Sequence, residues 1–270
     1  MKIKTAMVIS LSAWVLGLLL WESQRPLRKD CQNKGERIAR NLGIAIVSGV
    51  FLQLIEAPLI TWLCQRVQNG KMGLLNIVRM PKWLKALASI LVLDYTLYLW
   101  HVLNHKVPLL WRFHLVHHID LDLDQSTALR FHFGEMLISI LWRVMQIRVF
   151  GVDRFSLACW QVYLMICVLF HHANVRLPLA FESALNRFIV TPRMHGLHHS
   201  VVQSETDSNW SSGLTIWDKI HGTFVPFEPP HQVTIGVPAY REQSETRLAK
   251  MLRLPFGKQR NAWLPPYWSV

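Results

Sequence analysis

Acid is scarce in this chain. Its 270 residues hold 17 Asp and Glu against 29 Lys and Arg, and only 17% of all residues are charged. Half are hydrophobic and the mean hydropathy is positive, which does not suit one or two soluble domains of this length. The formal charge of +12 sits in clusters beside long apolar runs, which fits contact with anionic lipid head groups better than nucleic acid. Cysteine is also scarce. Cys31, Cys64, Cys159 and Cys167 form no CxxC pair, and three lie in or at the end of apolar runs, so they read as reduced and structural, with no sign of an oxidised, secreted fold. No GxGxxG nucleotide loop and no CxxCH haem attachment site occurs, so electrons for redox chemistry must come from outside the chain. Internal repeats and low-complexity tracts are missing, and strand signals are confined to short runs such as 232–237.

Long apolar runs and tryptophan are plentiful. Residues 5–21 are uncharged and just long enough to span a bilayer. Lys2 and Lys4 precede them as in a signal peptide, but no small-x-small cleavage site follows, so a retained anchor is expected. Residues 42–64 give a second span, with Glu56 and Pro58 in its second half, and residues 86–105 a third, with Asp94 near its middle. Residues 135–150 and 155–172 read as an apolar hairpin broken at Gly151–Asp153, its first arm carrying Arg143 and Arg148. From residue 173 the chain is polar, and 244–255 suggests a basic amphipathic helix on the membrane surface. Twelve Trp fit a membrane–water boundary. The expected architecture is an all-α integral membrane protein whose transmembrane helices carry a cytosolic, histidine-rich, di-metal helical cap. Residues 1–85 would be N-terminal anchor helices, 86–227 the catalytic domain and 228–270 a basic tail at the membrane surface. Loop 23–41 carries six Lys and Arg and should be cytoplasmic. Loop 65–85 carries five with no acid, yet the count of spans sends it to the other side.

Thirteen histidines are the anomaly, and ten fall in four tight clusters. These are His101-x3-His105, His114-x2-His117-His118, the pair His171-His172, and His195-x2-His198-His199. At helical spacing, positions i, i+3 and i+4 converge on one face. Asp94, seven residues before His101, projects from nearly the same stripe. Neutral imidazole is a common ligand of iron, zinc and copper. Nine ring nitrogens exceed what one metal takes, so two metals fit the count. Carboxylates that orient the rings are sought near the boxes. Among Asp94, Asp120, Glu135, Asp207 and Asp218, that role is assigned to Asp94, Asp207 and Asp218. Asp120, Asp122 and Asp124 read as solvated acids or helix caps. His132 reads as structural, with a pairing to Glu135 or a place on the substrate path as the alternative. His221 and His231 read as ordinary surface or loop histidines.

The pattern HVLNH, HLVHH and HGLHH resembles the fatty acid hydroxylase / sterol desaturase superfamily, as do DYTLYLWHVLNH, STALRFHFGE, TPRMHGLHHS and DSNWSSGLTIWDKIHGTF. The last two, with the TALR element, are similar to its alkylglycerol-monooxygenase-like and bacterial sterol-desaturase-like branch. The resemblance covers roughly residues 90–227. It implies a non-haem di-iron centre at the cytosolic face that uses O2 and two electrons to hydroxylate or desaturate a lipid. By position the ligands would be His101, His105, His114, His117, His118, His172, His195, His198 and His199. His172 and Asn174 match an H-x-N element, Asp207 and Asn209 a D-x-N element, and Asp94 the acid before the first box, while His171 is not expected to be a ligand. The lipid would be a sterol, fatty-acyl or ether lipid, and the electron donor a ferredoxin, a cytochrome b5-like protein or a reduced pterin. A bacterial inner membrane is expected over endoplasmic reticulum. Two rivals stand beside this reading. A membrane zinc hydrolase would need a carboxylate placed as in HExxH, which is missing. A metal-binding membrane transporter would want polar residues across the bilayer midplane, whereas these histidines lie at span ends or beyond.

Overall fold

The computed structural model describes residues 2–228 and 232–264, with side chains from residue 9 onward. Twelve α-helices occur among them: α1 (Lys2–Gln24), α2 (Lys34–Phe51), α3 (Ala57–Asn69), α4 (Lys82–Lys106), α5 (Pro108–His118), α6 (Phe133–Phe150), α7 (Arg154–His172), α8 (Leu179–Leu185), α9 (Pro192–His198), α10 (Gln203–Thr206), α11 (Ile216–His221) and α12 (Leu248–Arg253). No strand forms among the described residues. Three isolated bridges occur, one of them pairing Ser200 with Ile235 inside the run read as weakly extended. The fold is all-α, as the periodicity implied.

Three helical segments are long and apolar enough to cross a membrane: Lys34–Asn76, Lys82–Lys106 and Arg154–His172. The apolar run at 5–21 lies in α1 but is not one of these three, and its first side chains lie outside the described residues. The first segment joins α2 to α3 through a π-helical turn at Leu52–Glu56. Pro58 explains the widening. It has no N–H to give, and its ring would clash with the carbonyl four residues back in a regular helix. The Ala57 N–H instead reaches Leu52 O, five residues back. Ile46, Leu54, Trp62, Leu87 and Leu141 stay exposed along these helices, as side chains facing lipid do. Ile60, Leu63, Val67, Leu93, Ile147, Leu157 and Trp160 face inward and pack α3, α4, α6 and α7 together.

The expected hairpin forms as α6 and α7. Gly151 closes α6 in the left-handed region (φ 74°), and Asp153 caps α7 by accepting from Ser156 N. Gly73 (φ 90°) lies so close to Gly151 that a Cβ there would strike the Gly151 backbone. Asn76 Nδ2 donates to Gly151 O at 3.1 Å, and Lys85 pairs with Asp153 at 3.1 Å. The basic loop 65–85 is therefore fixed against the α6–α7 turn, at the opposite end of α4 from its histidines.

At the histidine end the loop after α5 corrects the sequence reading. Asp120, Asp122 and Asp124 are not solvated acids or helix caps; all three are buried. Arg37, also buried, lies 2.6 Å from Asp124 and 3.8 Å from both Asp120 and Asp122. Arg130 lies 3.3 Å from Asp120, donates to Asn41 Oδ1, and gives its Nε to Val116 O. Cys31 N and Gln32 N donate to Asp122. Burial alone would raise the Asp120 carboxyl, but Arg130 and Arg37 outweigh it and hold it below the usual range. These ion pairs clamp the start of α2 to the loop that follows α5.

The segment 244–255 is not one amphipathic helix. It breaks into a 3-10 turn at Gln243–Thr246, α12 and a second 3-10 turn at Leu254–Phe256. Met251 is fully buried with Ile44, Leu115, Val116, Val237 and Tyr240. His132 does not pair with Glu135; it caps α6, its Nδ1 accepting from Gly134 N while Nε2 meets Leu252 O.

The charge cluster generates a stability prediction. Arg37→Ala leaves buried carboxylates without their partner, and the expected loss is roughly 3–5 kcal/mol. Thermal unfolding in detergent micelles measures it, and a variant as stable as the parent would show that the cluster is not clamped by Arg37.

Candidate metal centre

Helix ends bring the boxes together. α4 ends with His101 and His105 one turn apart. Pro108 and Pro192 open α5 and α9 at positions where the missing N–H costs nothing. The last turn of α7 supplies His171 and His172. All nine expected rings converge, and they do so in two groups. His101, His105, His114, His118 and His198 form one, and His117, His172, His195 and His199 the other, with the ring nitrogens of each group within 4.8 Å of one another.

The helical spacing works differently from the expectation that each box presents one face to one place. In α5, His114 and His118 join the five-histidine group, while His117 between them joins the four-histidine group. The box at 195–199 reverses this: His195 and His199 share the four-histidine group, and His198 crosses to the other. Each HxxHH box therefore serves both groups and ties them into one unit.

Hydrogen bonds fix which nitrogen of several rings carries the proton. His101 Nδ1 lies 2.7 Å from Trp210 O, His198 Nδ1 2.9 Å from Ser208 O, and His172 Nδ1 2.8 Å from Val168 O. A carbonyl can only accept, so each Nδ1 is the donor and each Nε2 keeps a bare lone pair. His114 Nδ1 donates to Glu135 Oε1 at 3.0 Å, with the same result. Yet His114 Nε2 and His101 Nε2 face each other at 3.2 Å. Two lone pairs at that distance form no hydrogen bond and repel. His198 Nε2 and His105 Nε2 are buried with no partner. In the other group, Nε2 atoms follow one another from His117 to His172 to His195 to His199 at 3.1–3.2 Å. A cation shared among the nitrogens removes the conflict, and neutral imidazoles suit iron, zinc or copper. The residues fit a metal pair.

Burial keeps the rings neutral. It is the largest cause pushing His117, His118, His195 and His199 well below their usual 6.5, with neighbouring rings adding to it, and it brings His198 to about 3.

Supporting groups divide into those that act on the rings and those that do not. Asp218 accepts from Trp210 N, Ser211 N and Thr223 Oγ1, and so sets the Trp210 carbonyl that holds His101. Asn209 adopts a left-handed backbone (φ 54°), and its side chain exchanges two hydrogen bonds with the Val225 backbone. That turn presents the carbonyls of Ser208 and Trp210 to His198 and His101. Asp94, Asp207 and Asn174 touch no imidazole. Asp94 accepts from Trp217 Nε1 and Leu214 N, Asp207 pairs with Lys106 at 2.9 Å, and Asn174 exchanges hydrogen bonds with the Arg28 backbone. The carboxylate that does hold a ring is Glu135, which the sequence reading passed over. It opens α6, thirty residues from the first box, and only the preference of ligating imidazoles for a carboxylate partner pointed to it. His171 joins neither group, as expected. His221 is exposed but ordered, stacked on Tyr98 and Tyr95. His231 lies outside the described residues.

A cavity of about 820 Å³ reaches the two groups from between the long apolar helices. His101, His114, His117, His172 and His195 line one end, and Leu97, Trp100, Trp142 and Leu164 continue its wall between α4, α6 and α7. Its size suits a single small organic ligand.

The family model of the fatty acid hydroxylases matches residues 86–223, which is 138 of the 270 residues and includes all nine rings. The chain belongs to the fatty acid hydroxylase family. Among curated relatives of this family member, the ornithine lipid hydroxylase OlsE of Rhizobium tropici is 29% identical over 157 residues, covering 58% of this chain and 46% of the relative. The alkylglycerol monooxygenase of Xenopus tropicalis is 30% identical over 139 residues, covering 51% of the chain and 30% of the relative. The cholesterol 25-hydroxylase of Rattus norvegicus is 28% identical over 145 residues, covering 51% and 45%. The chain thus spans less than half the length of each. No solved structure matches it.

Two predictions follow from the ring geometry. Glu135→Ala frees His114 to turn, and metal affinity of the five-histidine group should fall roughly 10–100-fold while the four-histidine group keeps its own; competitive chelator titration resolves the two. The second concerns acid. The unfolded chain's histidines take up protons near 6.5, the buried rings of the metal-free protein only at lower pH, so between these limits the unfolded state binds more protons. Stability of chelator-treated protein should be level above about pH 6.5 and decline steadily as pH falls below it. Thermal unfolding across pH checks the sign.

Proposed function

We propose that this chain is an O2-dependent, di-iron membrane oxygenase that hydroxylates or desaturates a C–H bond of a lipid. The opposed lone pairs of His101 and His114, inside a set of nine converging imidazoles of which eight are buried, carry the reading. Lipid oxidation is supported by the relatives named above, each a lipid hydroxylase or monooxygenase by name.

His101, His105, His114, His118 and His198 would hold one iron, and His117, His172, His195 and His199 the other. The chemistry supplied when iron is bound is activation of O2 for attack on an unactivated C–H bond. The protein's own residues do the rest. Glu135 and the carbonyls of Trp210, Ser208 and Val168 hold ring protons at Nδ1 and leave Nε2 free to bind. The apolar cavity admits the lipid laterally between helices, places one carbon beside the rings and keeps bulk water away. In balance, hydroxylation turns one C–H, one O2, two electrons and two protons into C–OH and water. Desaturation withdraws a second hydrogen and releases two waters.

The electrons come from a ferredoxin, a cytochrome b5-like protein or a reduced pterin. Residues 86–227 would be the catalytic portion, and the histidine end would face the cytosol of a bacterial inner membrane. The basic loop 23–41, which leads into the Arg37 cluster at that end, supports this orientation.

His198→Ala and His117→Ala each strike one group. Each should lose bound iron and lower lipid oxidation by more than about 100-fold, the scale at which even supporting groups act in metal sites. Metal analysis of the purified protein with a coupled O2-consumption and lipid mass-spectrometry assay reads both effects. Iron and turnover retained in both variants would refute the assignment, and zinc in place of iron with no O2 uptake would favour a hydrolase.

A further inference from the structure

The cavity wall does not stay apolar. Arg143 on α6 and Glu56 at the end of the π-helical turn both line it. The Arg143 Nε lies 4.0 Å from Glu56 Oε1, too long for a hydrogen bond, and the guanidinium sits over the Trp160 ring at 4.4 Å. Among the described residues neither side chain makes any hydrogen bond, although a guanidinium carries five donors. Their side chains are 18% and 16% exposed. Gln161 lines the same stretch. Charged groups at membrane depth without hydrogen-bond partners are costly and mark function more often than stability, and π-helical turns recur at functional sites.

Position and charge define what would satisfy them. Arg143 follows Glu135 by eight residues on one helix, about 12 Å further along its axis from the residue that holds His114. Arg154 also lines the cavity but is exposed to solvent, so the half-buried pair sets the local balance: an anionic head group would gain from Arg143 and lose to Glu56. A hydroxyl suits both: its oxygen accepts from the guanidinium and its hydrogen is donated to the carboxylate. We propose that Arg143 and Glu56 form a subsite for an uncharged hydroxyl group of the lipid. The subsite holds that hydroxyl about 12 Å along α6 from Glu135, the residue that holds His114, and so selects which carbon meets the rings. This rests on the reading of the chain as a lipid oxygenase and names the class of its substrate: an apolar lipid carrying a remote alcohol. A straight-chain alcohol and a sterol share that chemistry.

The test is equilibrium binding to the full-length protein as purified, without reductant, so that no turnover is needed. The ligands are 1-hexadecanol with its methyl ether and hexadecanoate, and cholesterol with its 3-methyl ether. At least one alcohol should bind about tenfold or more tightly than its own ether, as expected for a charge-assisted hydrogen bond, and 1-hexadecanol more tightly than hexadecanoate. In the double variant Arg143→Met with Glu56→Gln the alcohol should fall to the level of its ether while metal content stays at the parent value. The comparison within the parent protein stands even where the variant fails to fold. Equal binding of alcohol and ether in both pairs, tighter binding of hexadecanoate, no binding of any ligand, or discrimination retained by the folded variant would each overturn the subsite. Loss of the preference with metal intact leaves the oxygenase reading standing; absence of metal from the parent protein defeats that reading instead.

Discussion

The architecture turns on the direction of a few ring protons. Once Trp210, Ser208, Val168 and Glu135 have taken the Nδ1 protons of His101, His198, His172 and His114, the inward nitrogens have only lone pairs to offer. Those of His101 and His114 face each other at 3.2 Å and are buried, an arrangement that a cation completes and that water or an apolar filling would not. Every surrounding element can be understood as holding that electrostatically unfavourable set in register. Asp218 and the left-handed turn at Asn209 act through backbone carbonyls, which cannot change tautomer or titrate. Only Glu135 acts as a side chain.

The crossing of the boxes explains why the site needs several helices to be fixed at once. His117 belongs to one group while its neighbours His114 and His118 belong to the other, and His198 reverses the pattern. A small rotation of α5 would improve one group and spoil the other. The clamp formed by Arg37, Arg130 and the three acids of 120–124 opposes such a rotation from just beyond the end of α5. Val116 O, on α5 itself, accepts from Arg130, so the charge cluster is joined directly to the helix that both groups share. Tyr240 and Met251 cover the other flank of the same helix with apolar contact.

Much of this was written in residue types and spacing. Helices and the break at Gly151–Asp153 follow from hydropathy, and the pairing of histidines within each box from the rule that positions one turn apart share a face; the set of nine converging imidazoles followed from the family resemblance. The division of each HxxHH box between two groups was not legible, because helical spacing says which side chains are neighbours and not what stands across from them. Asp120, Asp122 and Asp124 were misjudged for a related reason. An acid in a polar stretch looks solvated until a distant arginine such as Arg37, eighty or more residues earlier, is brought against it. Asp94 misled in the opposite way: its place in an apolar run suggested a ring partner, whereas Trp217 and Leu214 occupy it.

The cavity adds a direction to the site. It meets His101 and His114 from one group and His117, His172 and His195 from the other, and it does not reach His105, His118, His198 or His199. Those four rings lie on the far side, where Trp111 packs within 5.4 Å of His105 and His118. A ligand in the cavity therefore meets the two groups together, in a passage whose near wall is imidazole and tryptophan. In the proposed reaction, attack on an unactivated C–H bond would need that exclusion of water more than any acid or base. Glu135, a carboxylate on that wall, accepts from His114 and Asn104 through Oε1, while its Oε2 is buried without a partner. Under the proposed function, the selection of one carbon over its neighbours would come from how the rest of the lipid is held, further down the same passage.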